Sequence, residues 1–241
     1  MKIDLHIHST YSDGCCTPEE IASRAKALGL HGFAVTDHNK IGGWKRAAEA
    51  AKNLGILFVP GIEIMIYSPN KRAKKKSKFG EILALFLNEE IDTGRSVSNL
   101  PELIDEIHMQ DGIAAIPHPI GDMIRVQNIT NYAKEHKLKI DAIETINGRC
   151  SPIQNARSME FALKEKKGQI GGSDAHHKRE IGSAYTFVEA YSLEDFRKGI
   201  GKGLSKAIGV QKTPSEINYN RLLCKFHHIL HKTKTEKQIS E

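Results

Sequence analysis

The sequence predicts one α/β domain: a mostly parallel sheet covered by helices, either open or closed into a barrel. Three observations lead there. Short β-like runs alternate with amphipathic helical runs along most of the chain, the pattern of βαβ units. Clusters of His, Asp and Glu recur where the β-like runs end. No Pro/Gly/Ser-rich linker divides the 241 residues, and no internal repeat is present.

Residues 3–7, 32–36, 57–64, 112–117, 142–146, 169–172 and 185–188 read as strands, with 82–87 as an eighth. The first helix starts at Thr17-Pro18-Glu19-Glu20. Thr17 is the N-cap, Pro18 sits in the first turn and Glu20 closes a capping box. Ile21, Ala25 and Leu28 follow at helical spacing, and Gly29 ends the run. Residues 44–54, 100–109, 129–137, 155–166 and 193–202 carry the same periodicity. These elements account for residues 1–210. Residues 211–241 form a basic helical tail, with six basic and three acidic residues from Lys212 onward. Leu222, Phe226, Ile229 and Leu230 are spaced to form one apolar stripe, and fraying is expected from about Thr233.

Composition narrows the function classes. With 39% apolar, 27% charged and 6% aromatic residues, the chain is neither collagenous, disulfide-rich nor fully disordered. The longest apolar run covers only residues 82–87, far short of the roughly 20 needed to span a bilayer. Asp4, His6 and His8 stand where a secretory leader needs an apolar run. The four cysteines show no C-x-x-C spacing, so free thiols in a reducing cytoplasm are expected. A net charge of +6 suits polyanionic company, and no membrane partner or obligate protein partner is inferred.

His6-x-His8 places two imidazoles on one side of an extended segment, where both reach one metal ion. Alone, this is a weak signal. Its weight comes from repetition: Ser12-Asp13-Gly14, Thr36-Asp37-His38, Gly61-Ile62-Glu63, Pro117-His118-Pro119 and Ser173-Asp174-Ala175-His176 each follow or end a β-like run. In parallel α/β folds those ends share one face, and that face holds the site. A metal site at the strand C-termini is therefore expected.

The ordered set D-L-H-I-H-S-T-Y-S-D-G, T-D-H, G-I-E, H-P and G-S-D-A-H resembles the PHP (polymerase and histidinol phosphatase) family over roughly residues 1–210. The resemblance implies a distorted (β/α)7 barrel, two or three divalent ions (Mn, Fe or Zn) and phosphoesterase activity. Carried over by position, one ion takes His6, His8, Glu63 and Asp174. A second shares Glu63 and adds His118. A third takes Asp13, His38 and His176. Glu81 stands where the family carries a histidine, and a carboxylate there favours a harder ion. Asp13, Glu63, Glu81 and Asp174 would leave three divalent ions net positive, as a phosphate ester requires. The implied nucleophile is a metal-bound hydroxide attacking in line. A metal, or a protonated His38 or His176, would support the leaving oxygen.

Two features bear on substrate. Residues 71–78 hold six basic residues in eight, including Lys74, Lys75 and Lys76, between Glu63 and Glu81, where they would steer a polyanion toward the site. Asn147-Gly148-Arg149 resembles the family's N-G-R segment, and Arg149 offers a fork for phosphate. Lys178 adds charge beside Asp174 and His176. A phosphorylated small molecule or a short nucleic acid is thus expected, with nucleotides or short oligonucleotides ahead of histidinol phosphate. An amidohydrolase and a metal-free RNA-binding subunit are the alternatives. Cys15-Cys16 and the His227/His231 pair read as ordinary residues, the latter because H-E-x-x-H lacks its glutamate here.

Overall fold

A computed structural model describes residues 1–68, 77–92, 99–119, 125–210 and 212–239, with backbone alone at 77, 125–128 and 227–239. Lys74, Lys75 and Lys76 lie outside the described residues. The described strands are β1 (Lys2–Asp4), β2 (Gly32–Val35), β3 (Leu57–Ser68), β4 (Ser77–Leu85), β5 (Ile113–Ile116), β6 (Ala142–Asn147), β7 (Gly168–Gly172), β8 (Ala184–Phe187) and β9 (Lys206–Gly209). The helices are α1 (Pro18–Ala27), α2 (Trp44–Leu54), α3 (Leu100–Met109), α4 (Arg125–Glu135), α5 (Pro152–Lys164), α6 (Leu193–Gly201) and α7 (Pro214–Ile239).

The strands form one sheet in the order β7-β6-β5-β4-β3-β2-β1-β8-β9. It curls until β7 at one end packs against β8 and β9 at the other, giving a nearly closed α/β barrel. The sheet is mixed rather than mostly parallel. Four pairings among the described strands are parallel and four antiparallel. The reason is connection length: only residues 69–76 separate β3 from β4, and a parallel return needs a dozen or more. β3 and β4 therefore pair as a long antiparallel ribbon, from Gly61 opposite Leu85 to Ser68 opposite Ser77. Gly61-Ile62-Glu63 consequently lies within a strand, not at its end. β1 also stops early, at Asp4. Beyond it Ile7 makes an isolated parallel bridge to Ala175.

Each strand from β1 to β7 gives a buried side chain to one cluster: Ile3, Ala34, Val59, Leu83, Ala115, Ala142 and Ile170. These plug the barrel as layered side chains do in closed sheets. Burying an Ile or Leu of this kind contributes about 1.5–3 kcal/mol. Two further clusters pack helices outside, α1 and α2 on one flank and α3 to α5 on the other.

The helix starts follow local rules. Thr17 Oγ1 accepts from Glu20 N at 3.3 Å, and Glu20 Oε2 accepts from Thr17 N at 2.8 Å. Ser151 and Gln154 form a second such box at α5. On α7 the buried face is Ile217, Asn220 and Cys224, whereas Leu222 and Phe226 of the expected stripe are exposed. The helix meets both an apolar cluster, through Cys224 beside Cys15, and polar loops. Asn220 Nδ2 donates to Glu180 Oε1 at 3.3 Å, and the Cys224 thiol donates to His176 O at 3.0 Å. Among the described residues, no helix is long and apolar enough to cross a membrane.

Candidate metal centre

The site sits on the plug, where the chain leaves β1, β2 and β7 and where the β3–β4 ribbon passes over them. Asp4 ties two of these exits together, accepting from Ser173 N and Gly182 N at 2.9 Å each. His6 and His8 follow, fully buried, with their Nε2 atoms 3.1 Å apart. Gly172 permits this approach, because a Cβ there would lie 2.3 Å from that of His6.

Glu63 is the hub. Its Oε2 lies 3.5 Å from His6 Nε2, 3.3 Å from His8 Nε2 and 3.1 Å from His38 Nδ1. Its Oε1 lies 3.1 Å from His118 Nε2. Asp174 Oδ1 stands 3.3 Å from His8 Nε2 and 3.8 Å from His6 Nε2. Asp13 meets His176 at 3.1 Å, His8 at 3.6 Å and His38 at 3.8 Å. Glu81 points inward, 3.9 Å from His38 and 3.8 Å from His118, and Lys78 Nζ contacts it. His118 and Asp174 take positive φ, 28° and 52°, a strained backbone that aims both side chains at the cluster. All nine predicted ligand positions are thus brought together. They form overlapping sets that could hold a cation: His8, Asp13, His38 and His176; His6, His118 and Asp174; His6, His8 and Glu63; His38, Glu63 and Glu81.

The donor set fits divalent ions. Among the described residues, His8 Nδ1 and His38 Nδ1 are buried without a hydrogen-bond partner, although carboxylate oxygens stand close by. A shared cation between such groups removes that penalty. The electrostatics agree. Burial opposes charge on His6, yet Glu144, Glu63 and Asp174 outweigh it and hold its pKa well above the ordinary value. Burial likewise opposes charge on His118, but Glu63 and Glu81 push it up to about 9. Burial and the neighbouring His176 pull His8 down to about 4, leaving a neutral imidazole suited to ligation. The centre therefore attracts positive charge while offering neutral nitrogen.

Three contributors escape sequence reasoning. Glu144 is buried on β6. It bonds His6 Nδ1 at 3.0 Å and accepts from His118 N at 2.7 Å, orienting both histidines. A lone acid in the apolar run of β6 was its signal. Asp37 accepts from Ser9 N at 2.7 Å and from the Ser9 and Ser12 hydroxyls at 2.5 Å each, shaping the loop that carries Asp13. Arg221, from α7, had no local signal.

A cavity of about 320 Å³ opens over the cluster. It is lined by Glu63, Glu81, His38, His118, Asp174 and His176 together with Lys78, Asn147, Arg149, Cys150, Gln154 and Arg221. Arg149 donates to His176 Nδ1. Asn147 lines the cavity, but its amide is spent inward. It donates to Glu144 at 3.0 Å and Asp174 at 3.3 Å, and it accepts from Arg149 N at 2.9 Å. Lys178 is exposed and does not line the cavity.

The family pattern described as the PHP domain matches residues 4–148. The chain belongs to the PHP family. A second pattern, described as PHP-associated, matches residues 152–204. This PHP chain is 34% identical over 177 residues to an uncharacterised protein of Methanocaldococcus jannaschii, spanning 68% of this chain and 93% of that one. Over 65 residues it is 47% identical to a 3′,5′-nucleoside bisphosphate phosphatase of Chromobacterium violaceum, covering 27% of this chain and 23% of that protein. Among solved structures, a two-domain protein from Bacteroides vulgatus described as containing a predicted PHP-like metal-dependent phosphoesterase superposes with a TM-score of 0.67. It is 22% identical, and the match spans 87% of this chain and 64% of that one.

Proposed function

We propose that this PHP chain is a metal-dependent phosphoesterase acting on nucleotides or short oligonucleotides. The observation that carries the reading is Glu63, whose two oxygens face four imidazoles and which lines one cavity together with Arg149. His6, His8, Glu63 and Asp174 would hold one divalent ion, Glu63 and His118 with Glu81 a second, and Asp13, His38 and His176 a third. Mn, Fe or Zn suits these ligands. Bound there, such ions supply a nucleophile at neutral pH and polarise the phosphoryl group.

The chain's own residues do the rest. Arg149 forks a phosphoryl oxygen and keeps the ester against the cluster. Glu144 and Asn147 lock the imidazoles and Asp174 in place. His6 and His8 are sealed from the cavity, whereas His38 and His176 line it and would hold a proton for the departing oxygen when no third ion occupies them. Residues 1–210 are the catalytic unit in this reading and 211–241 an appended helix. Four free thiols suit a cytoplasmic enzyme.

The test is metal content of protein purified without chelator, coupled to phosphate release with added Mn. The substrates are adenosine 3′,5′-bisphosphate, a short 5′-phosphorylated RNA, histidinol phosphate and an aryl phosphate. Two or three ions per chain with preference for the nucleotide substrates is the expected result. Preference for histidinol phosphate overturns the substrate class and keeps the chemistry. Absence of both metal and turnover overturns the enzyme reading.

A further inference from the structure

The cavity over the metal ligands has a neighbour. A chamber of about 400 Å³ lies between the start of α5 and the start of α7. The two spaces share Arg149, Gln154 and Arg221 as walls. Each is within the roughly 300–1,000 Å³ of small-molecule sites.

Their chemistry differs sharply. The first is lined by carboxylates and imidazoles as well as by Lys78, Arg149 and Arg221. The second is lined by three cationic side chains, Arg149, Lys212 and Arg221, and among the described residues no carboxylate lines it. Ser151 and Asn218 add neutral hydrogen-bonding groups. Arg221 has no ion-pair partner among the described residues, and Lys212 meets only Glu216, loosely, at 3.8 Å. The unpaired Arg221 guanidinium, with Arg149 and Lys212 beside it, suits an anion.

The chamber is also held in register with the metal site. Lys212 N donates to Gly148 O at 3.0 Å, joining the root of α7 to the turn that carries Arg149. Further along, Asn220 and Cys224 fasten α7 to the loop that carries His176. This helix lies beyond residue 204, where the PHP-associated match ends.

We propose that the chamber takes a second phosphate of the substrate, gripped by Arg221 and Lys212 while the first lies against the metal ligands. The tail helix is then a specificity element selecting substrates with two phosphates over those with one. The proposal rests on the phosphoesterase reading above. The second phosphate is either a terminal monoester or the next diester of a short chain.

The experiment compares adenosine 3′,5′-bisphosphate, a 5′-phosphorylated dinucleotide and AMP on the Mn-loaded full chain. It measures kcat/KM and, by calorimetry, binding. The wild type should favour a two-phosphate compound over AMP by about tenfold or more, as a charge-assisted fork on phosphate allows. Arg221→Ala should cut that ratio by about tenfold, Lys212→Ala by less, and Arg221→Lys should keep part of it. A gain confined to the bisphosphate assigns the terminal monoester, and one shared with the dinucleotide assigns the diester as well. A wild type without preference, or an Arg221→Ala ratio equal to wild type, overturns the proposal. Should no ester be hydrolysed, the phosphoesterase reading fails by itself, and the binding ratio still decides the chamber.

Discussion

The centre is assembled from two unlike halves. His6, His8, Asp13, His38, Asp174 and His176 stand on loops leaving β1, β2 and β7. Glu63 and Glu81 stand inside β3 and β4, an antiparallel ribbon in which Glu63 faces Leu83 and Glu81 faces Met65. The first half obeys the general rule of α/β folds, with chemistry at strand ends where the backbone turns freely. The second obeys the pleat: residues two apart share a face, so Glu63 and Glu81 reach the cluster as diagonal neighbours. Loops bring many ligands but need fastening, which Asp4, Asp37 and Glu144 provide. The ribbon brings two ligands that the sheet ladder already holds.

This contrast makes Glu63 the point of greatest sensitivity, since it alone faces histidines on β1, β2 and β5 exits together. Glu63→Gln should remove most bound metal and lower kcat by about 100-fold or more, as loss of a metal ligand's charge does. Metal analysis of the purified variant checks it, and wild-type metal content would demote the ribbon to scaffold. Glu144→Gln comes next. It touches only the fastening, and metal affinity should fall by about 10–100-fold with the ion count recoverable at high metal. A titration with Mn reads this directly. Chelation should then lower the thermal midpoint, because an ion present at 100 times its Kd stabilises the folded state by about 2.7 kcal/mol. A midpoint that ignores chelator and added Mn would mean the histidines and carboxylates are self-sufficient.

The smallest effect is expected at Glu81. It faces His38 and His118, but it also engages Lys78, so its charge already has a partner. Glu81→Ala should weaken only the second ion, by about tenfold or less. Anomalous scattering from crystals of wild type and variant gives the occupancy, and equal density at that position would show that Glu81 serves Lys78 alone.

The loop half was legible because each of its ligands sits in a short polar motif beside an apolar run. The D-L-H-I-H, T-D-H and G-S-D-A-H segments announce both residue type and location. Glu63 was found for the right residue and the wrong reason: G-I-E reads as a strand end, whereas β3 continues to Ser68. No local pattern tells a strand that stops from one that pairs onward, since pairing depends on β4 and on the short connection between them. Glu144 and Asp37 were named in no site prediction. Their importance is a matter of which histidine or hydroxyl lies 3 Å away, and that distance belongs to the folded chain.

Order along the chain determined the α/β class, the capping box at Thr17, and the set of residues able to bind metal, because helix starts, strand periodicity and ligand chemistry are local. The tertiary structure decided the mixed sheet, the hub at Glu63 and the face that α7 turns to the barrel. In α7, period alone favoured Leu222 and Phe226 as the packed stripe. The fold chose Ile217, Asn220 and Cys224, because the surface they meet offers both the apolar cluster around Cys15 and the polar loop of His176 and Glu180. Arg221, between the two faces, is thereby carried to the wall of the site from more than 200 residues beyond His6. Such a meeting is written in long-range packing, and no window of sequence contains it.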